Sequence, residues 1–70
     1  MKQDIEQARR FLRMIGEDAL LYVTKPEGEV VRILHGIADL PLAMLYNQQG
    51  YNISFCPNPN ANIKVGDKVN

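Results

Sequence analysis

The stretch "ALLYVTKPEGEVVRILHG", residues 19–36, constrains the fold of this chain more than any other. Both flanks are rich in β-branched and aromatic residues, which suit a pleated, half-buried surface. Between them, "KPEG" is turn chemistry. Pro26 presets φ at the second turn position, and Gly28 accepts positive φ at the fourth. The stretch predicts a β-hairpin. Uninterrupted pairing puts Leu21 and Val23 on one face with Val31 and Ile33. Arg32 then points away from that face, with Leu20 and Tyr22 partly on its side.

A helix precedes the hairpin and another follows it. In "DIEQARRFLRMIG", Ile5, Ala8, Leu12 and Ile15 recur at spacings of 3, 4 and 3, the stripe of a half-buried helix. Phe11 widens the stripe. Asp4 is placed to cap it, with Gln7 as its capping-box partner, and Gly16 follows the last apolar position. In "IADLPLAMLYNQQG", Asp39 is the expected N-cap and Pro41 falls in the first turn, where a missing N–H costs nothing. Leu42, Leu45 and Gln49 form one line, which Met44 and Tyr46 broaden, and Gly50 ends the helix.

"YNISFC" predicts a third strand with Tyr51, Ile53 and Phe55 on one face, and "NIKV" leaves room for a short fourth. The order helix–hairpin–helix–strand (αββαβ) describes a single small α+β domain over residues 1–70 with two layers. Its sheet is three- to four-stranded and mainly antiparallel, with the helices on one face. The simplest arrangement puts the first hairpin strand in the middle. The flanking strands are then edges, open to pairing with another chain.

A chain of 70 residues buries only about 60% of its unfolded surface and is marginal without help. Its one cysteine, Cys56, forms no intrachain disulfide, and one histidine, His35, cannot complete a four-ligand zinc site. No metal or cofactor is expected. Association is the remaining aid, and 46% hydrophobic content fits a homodimer through a sheet edge or helix face, or a protein partner. The charges balance at 8 against 8, unlike a dedicated nucleic-acid-binding domain. They are unevenly spread, however. Lys2, Arg9, Arg10 and Arg13 outweigh Asp4 and Glu6, whereas Glu17, Asp18, Glu27, Glu29 and Asp39 outweigh Lys25 and Arg32. No apolar run is long enough to span a bilayer, and "MKQDIEQARR" lacks a signal-peptide core. An unpaired cysteine fits a reducing compartment, so the expected location is cytoplasmic.

Residues with catalytic potential are few. Cys56 as a nucleophile needs a base, and His35 falls on a strand that the central one separates from it. Cys56 reads instead as a small buried or half-buried residue at a strand end, and His35 as a strand-end residue satisfying a backbone carbonyl. Glu17–Asp18 and Glu27/Glu29 look like solvated connections, and no glycine-rich phosphate loop is present. Enzymatic activity is not expected. Arg9, Arg10 and Arg13 share one side of the first helix and could meet nucleic-acid phosphates or acidic partner residues. The plainer reading is a solvated face with a Glu6–Arg10 pair. Arg32 joins the binding candidates, as do Asn58, Asn60 and Asn62 of "CPNPNAN". There the prolines stop the third strand and stiffen a turn whose amides suit recognition more than reaction.

"RILHGIADL" followed by "LYNQQGYNISFCPN" resembles the N-terminal segment of phage- and plasmid-encoded DNA primases and primase-polymerases of the archaeo-eukaryotic type. In that family a helix with an "FL" pair leads into a strand. An "R-V-L-H-G" strand follows, then a helix with "L-D-E-L", then "L-N-x-x-G-x-G" and a strand ending in an asparagine loop. Phe11–Leu12, Arg32–Gly36, Ala38–Leu40, Tyr46–Gly50 and Ile53–Asn60 match those places, so the resemblance covers roughly residues 9–63. The family's catalytic Asp-x-Asp strand is absent; "KVGDKVN" offers only Asp67. Its "T-V-N-E-T-D-G"-like loop is replaced by "CPNPNAN". The resemblance therefore implies a non-catalytic relative or fragment, and no catalytic residue carries over.

These features together point to a non-enzymatic protein-binding module from a phage or other mobile element. It would act stoichiometrically on a host replication or defence complex, in the manner of anti-CRISPR or anti-restriction proteins. The alternatives are a DNA-binding replication accessory and an N-terminal fragment of a primase-like protein completed by another chain.

Overall fold

The structure, a computed structural model, describes residues 5–60. Helix α1 (Ile5–Ile15) leads into strands β1 (Leu20–Thr24) and β2 (Val30–His35). A single 3-10 turn (Ile37–Asp39) then opens helix α2 (Leu40–Gln48), and strand β3 (Asn52–Cys56) follows. The sheet order is β2-β1-β3, with β1 antiparallel to both neighbours. The α+β class, element order and central position of β1 agree with the sequence reading. The Asp4 cap, the "NIKV" strand and Asn62 lie outside the described residues.

The turn is built as "KPEG" predicts. Gly28 donates its N–H to Lys25 O, closing a four-residue turn, and Lys25 N–H donates to Glu29 O, each at 2.8 Å. Gly28 has φ 108°, in the left-handed half of backbone space that glycine enters without a steric penalty.

The strands that follow depart from the expected register. Thr24 pairs with Val30, but Val23 pairs with Arg32, so Val31 is an extra residue in a β-bulge. Side chains alternate with a period of two, so one inserted residue moves the rest of the strand to the opposite face. Leu21 faces Leu34, and Tyr22 faces Ile33. Arg32 and Leu34 therefore share the pleat of Leu21 and Val23, whereas Val31 and Ile33 lie on the other pleat with Leu20 and Tyr22. The uninterrupted hairpin would have given the reverse.

One buried cluster holds the fold together: Leu12 of α1, Ala19, Leu21 and Val23 of the β1 region, Leu34 of β2, and Leu40 and Ala43 of α2. Ile5, Ala8 and Ile15 of the predicted stripe pack against it, as do Tyr51, Ile53 and Phe55. Phe11 meets Phe55 edge-on, with ring centres 5.6 Å apart. In α2 the fully buried residues are Leu40 and Ala43; Leu42, Met44 and Tyr46 of the predicted group pack half-buried against the core, whereas Leu45 is 54% exposed. That helix is apolar nearly all round, so its periodicity does not select a face.

Asp39 occupies the N-cap position of α2 without a side-chain capping bond. Its carboxylate Oδ2 accepts the His35 main-chain N–H at 2.8 Å. Gly36 between them is buried, with φ 76° and ψ 179°. It donates to Ala19 O at 2.7 Å and accepts from Asp39 N–H at 3.1 Å.

Candidate functional site

The two pleats of the sheet differ in cover. Leu21, Val23 and Leu34 are buried, whereas on the opposite pleat Leu20, Tyr22 and Thr24 are half-buried and Val31, Ile33 and His35 exposed. Val30, Val31 and Ile33 keep 46%, 39% and 45% of their surface in water. Three adjacent exposed aliphatic residues on an edge strand carry more information than one isolated on a surface.

The edge of β2 is equally specific. Main-chain groups of alternate residues in an antiparallel pair point to the same side. Gly36 directs its N–H to Ala19 of the central region, so Leu34 and Arg32 turn theirs inward, and Ile33 and His35 turn theirs outward. The contact from His35 N–H to Asp39 is consistent with this parity. Asp39 thereby closes one end of the edge, and the bulge bounds the other. Between them Ile33 turns its N–H and C=O outward, with no partner for them among the described residues.

Beside this edge lies Arg32, exposed and on the core-side pleat. Its guanidinium donates to the Tyr46 hydroxyl at 2.9 Å and lies 5.9 Å from the Tyr46 ring centre. Tyr46 packs edge-on against Tyr51, with ring centres 5.5 Å apart. The bond to Tyr46 is the first cause that raises the guanidinium pKa above its ordinary value, and Asp39 adds to it. The β2 edge thus presents aliphatic side chains on one pleat and a positioned cation on the other.

The other candidates lie apart. Arg9 is half-buried and pairs with Glu6 at 3.4 Å, while Arg10 and Arg13 are exposed on α1. Asn58 has both ends of its amide engaged: Nδ2 donates to Asp18 O at 3.1 Å, and Oδ1 accepts the Asn60 N–H at 2.9 Å. It works as a latch between the α1–β1 connection and the segment after β3, not as a free recognition group. Asn60 is exposed. Arg32 and Asn58 are not brought together. Asn58 instead borders an open cleft of about 430 Å³ with Glu17, Asp18, His35, Gly36, Ile37 and Ala38.

Cys56 is exposed rather than buried. Leu20 pairs with both His35 and Cys56, so the two flank it on one pleat, about 10 Å apart by strand spacing. That is too far for direct proton transfer. Among the described residues no group of three His, Cys, Asp or Glu side chains could hold a metal ion. Among them, too, no helix is long and apolar enough to cross a membrane. Compared with known proteins, the chain matches no described family, no curated protein and no solved structure.

Sequence reasoning named Arg32 as a binding candidate but missed the outward Val31–Ile33 pair and the Asp39 contact. No local signal marks the bulge that exposes the first, and the second joins residues four apart across a turn.

Proposed function

We propose that the chain is a non-enzymatic protein-binding module that receives a strand of its partner along the β2 edge and acts by occupancy. The observation that carries this reading is the exposed aliphatic run Val30, Val31 and Ile33 beside an edge bounded by the bulge and Asp39. Edge strands of stable domains are normally blunted by charge, proline or cover. Here two features bound the edge and leave its middle open, which fits a reserved contact surface. In its narrower form, drawn from the primase-like pattern, the partner belongs to a host replication or defence complex. The gene would then come from a phage or mobile element, and the protein would act in the cytoplasm.

The test compares the full chain with its Val31→Lys/Ile33→Lys variant. Both positions are exposed, so the variant should keep its far-UV circular dichroism. Each is immobilised and exposed to a host lysate. The reading expects a protein held at near-equal molar ratio by the original chain and lost by the variant. Retention of nothing, or of the same proteins by both, counts against it.

A further inference from the structure

Resting on the partner-binding reading above, the geometry points to the chemistry of the strand that the edge accepts: an extended segment alternating aliphatic and acidic residues, added antiparallel to β2. Strand addition draws affinity from main-chain bonds and specificity from alternate side chains. Ile33 supplies the outward N–H and C=O. A residue opposite Ile33 lies on the same pleat and meets Ile33 directly and Val31 and His35 diagonally, a largely aliphatic surface, with Tyr22 one strand further in. A residue opposite Arg32 lies on the other pleat and meets a guanidinium already oriented by Tyr46. One N–H of that guanidinium is used by Tyr46, and the exposed fork can still receive a carboxylate. The ladder stops beyond Ile33, because Asp39 has taken the His35 N–H. The same carboxylate would repel an acidic residue placed there, so the segment sets an aliphatic residue opposite Ile33, an acidic one after it opposite Arg32, and a neutral one before it.

Charge decides between this occupant and a second copy of the chain. A two-fold axis at Arg32 would set two guanidiniums directly opposite each other, an unfavourable cross-strand pair. An axis at Ile33 would set each Arg32 opposite a Leu34, offering it no carboxylate. Neither register complements the one charge on β2, whereas a foreign acidic strand does.

The probes are three capped synthetic peptides: TVEIEVT, its basic counterpart TVKIKVT, and the non-alternating TVIEEVT. Each is titrated into the full chain, with binding read by anisotropy and the edge by amide hydrogen exchange. The proposal expects TVEIEVT to bind at least about tenfold tighter than either control and to slow exchange at Ile33. N-methylation of the peptide residue opposite Ile33 should abolish binding. Arg32→Glu should reverse the preference toward TVKIKVT, an outcome that a merely structural role for Arg32 would not produce. Equal binding of TVIEEVT, indifference to N-methylation, or no binding of any peptide overturns strand addition. So does concentration-dependent dimerisation that Ile33→Lys abolishes and the peptides do not compete, which would assign the edge to a second copy. If lysate capture still depends on Val31 and Ile33 while the peptides fail, strand addition falls and partner binding stands. If both fail, both fall.

Discussion

Replacing Gly36 with alanine should be among the most damaging single-methyl changes available to this domain. At φ 76° and ψ 179° the residue lies where essentially only glycine is found, and holding another residue there costs about 1–3 kcal/mol. Space is a second obstacle. A Cβ on Gly36 would stand 2.8 Å from the main-chain oxygen of Glu17 and 3.4 Å from Asp18 Cα. That oxygen cannot retreat freely, because it accepts the Ile37 N–H at 2.8 Å. Relieving the clash loosens at least one such bond, worth roughly 1 kcal/mol. The expected loss is about 3 kcal/mol, against a total stability for a chain of this size on the order of 4–10 kcal/mol. Gly28→Ala is the control. It too has positive φ, 108°, but nothing lies within 4 Å of its added methyl. Alanine also narrows the unfolded ensemble at both sites, so this effect largely cancels between them. Urea unfolding followed by circular dichroism should place Gly36→Ala about 2 kcal/mol below Gly28→Ala. At about 4–8 °C per kcal/mol for a domain of this size, its melting temperature should lie roughly 8–16 °C lower. If the two variants unfold together, the close approach of the β2 exit to the Glu17–Asp18 backbone is wrong.

Two further substitutions probe the core and the latch. Leu21→Ala removes a fully buried side chain at the centre of the sheet; it should cost about 2–5 kcal/mol in the same urea measurement, and a loss under 1 kcal/mol would displace Leu21 from the core. Asn58→Ala removes the bond to Asp18 O and the turn to Asn60; it should cost about 1 kcal/mol and speed exchange of the Asn60 amide, whereas unchanged exchange would dissolve the latch.

Element order and the central strand were legible because their signals are local. Gly28 and Pro26 sit at the turn positions that need them, and the α1 stripe repeats at helical spacing with polar residues between. Two features were not legible. Helix α2 offers apolar residues on every side, so the choice of Leu40 and Ala43 as its buried pair belongs to tertiary packing. The β2 register depends on whether Val31 pairs or bulges, and valine suits either role. The candidate site inherits this ambiguity. Arg32 could be named from its residue type, but its placement beside Tyr46 and the exposure of Ile33 follow only from the bulge. Asn58 shows the opposite case: the asparagines suggested open recognition, and the fold uses one of them for its own closure.

The bulge also bears on how such a chain could diverge. Substitutions along β2 change one side chain at a time and leave its facing intact. Pairing Val31 with Val23, with no residue lost, would instead exchange the two sides of the strand beyond it, sending Ile33 toward the interior and Arg32 outward. Contact chemistry and core composition would then change together. Loss of Val31 itself would leave Arg32 opposite Val23 and Ile33 opposite Tyr22, so the facing of β2 survives a deletion that removes the bulge. Related chains that preserve the partner surface should therefore keep Arg32 and Ile33 on their present sides, either with the bulged residue or without it.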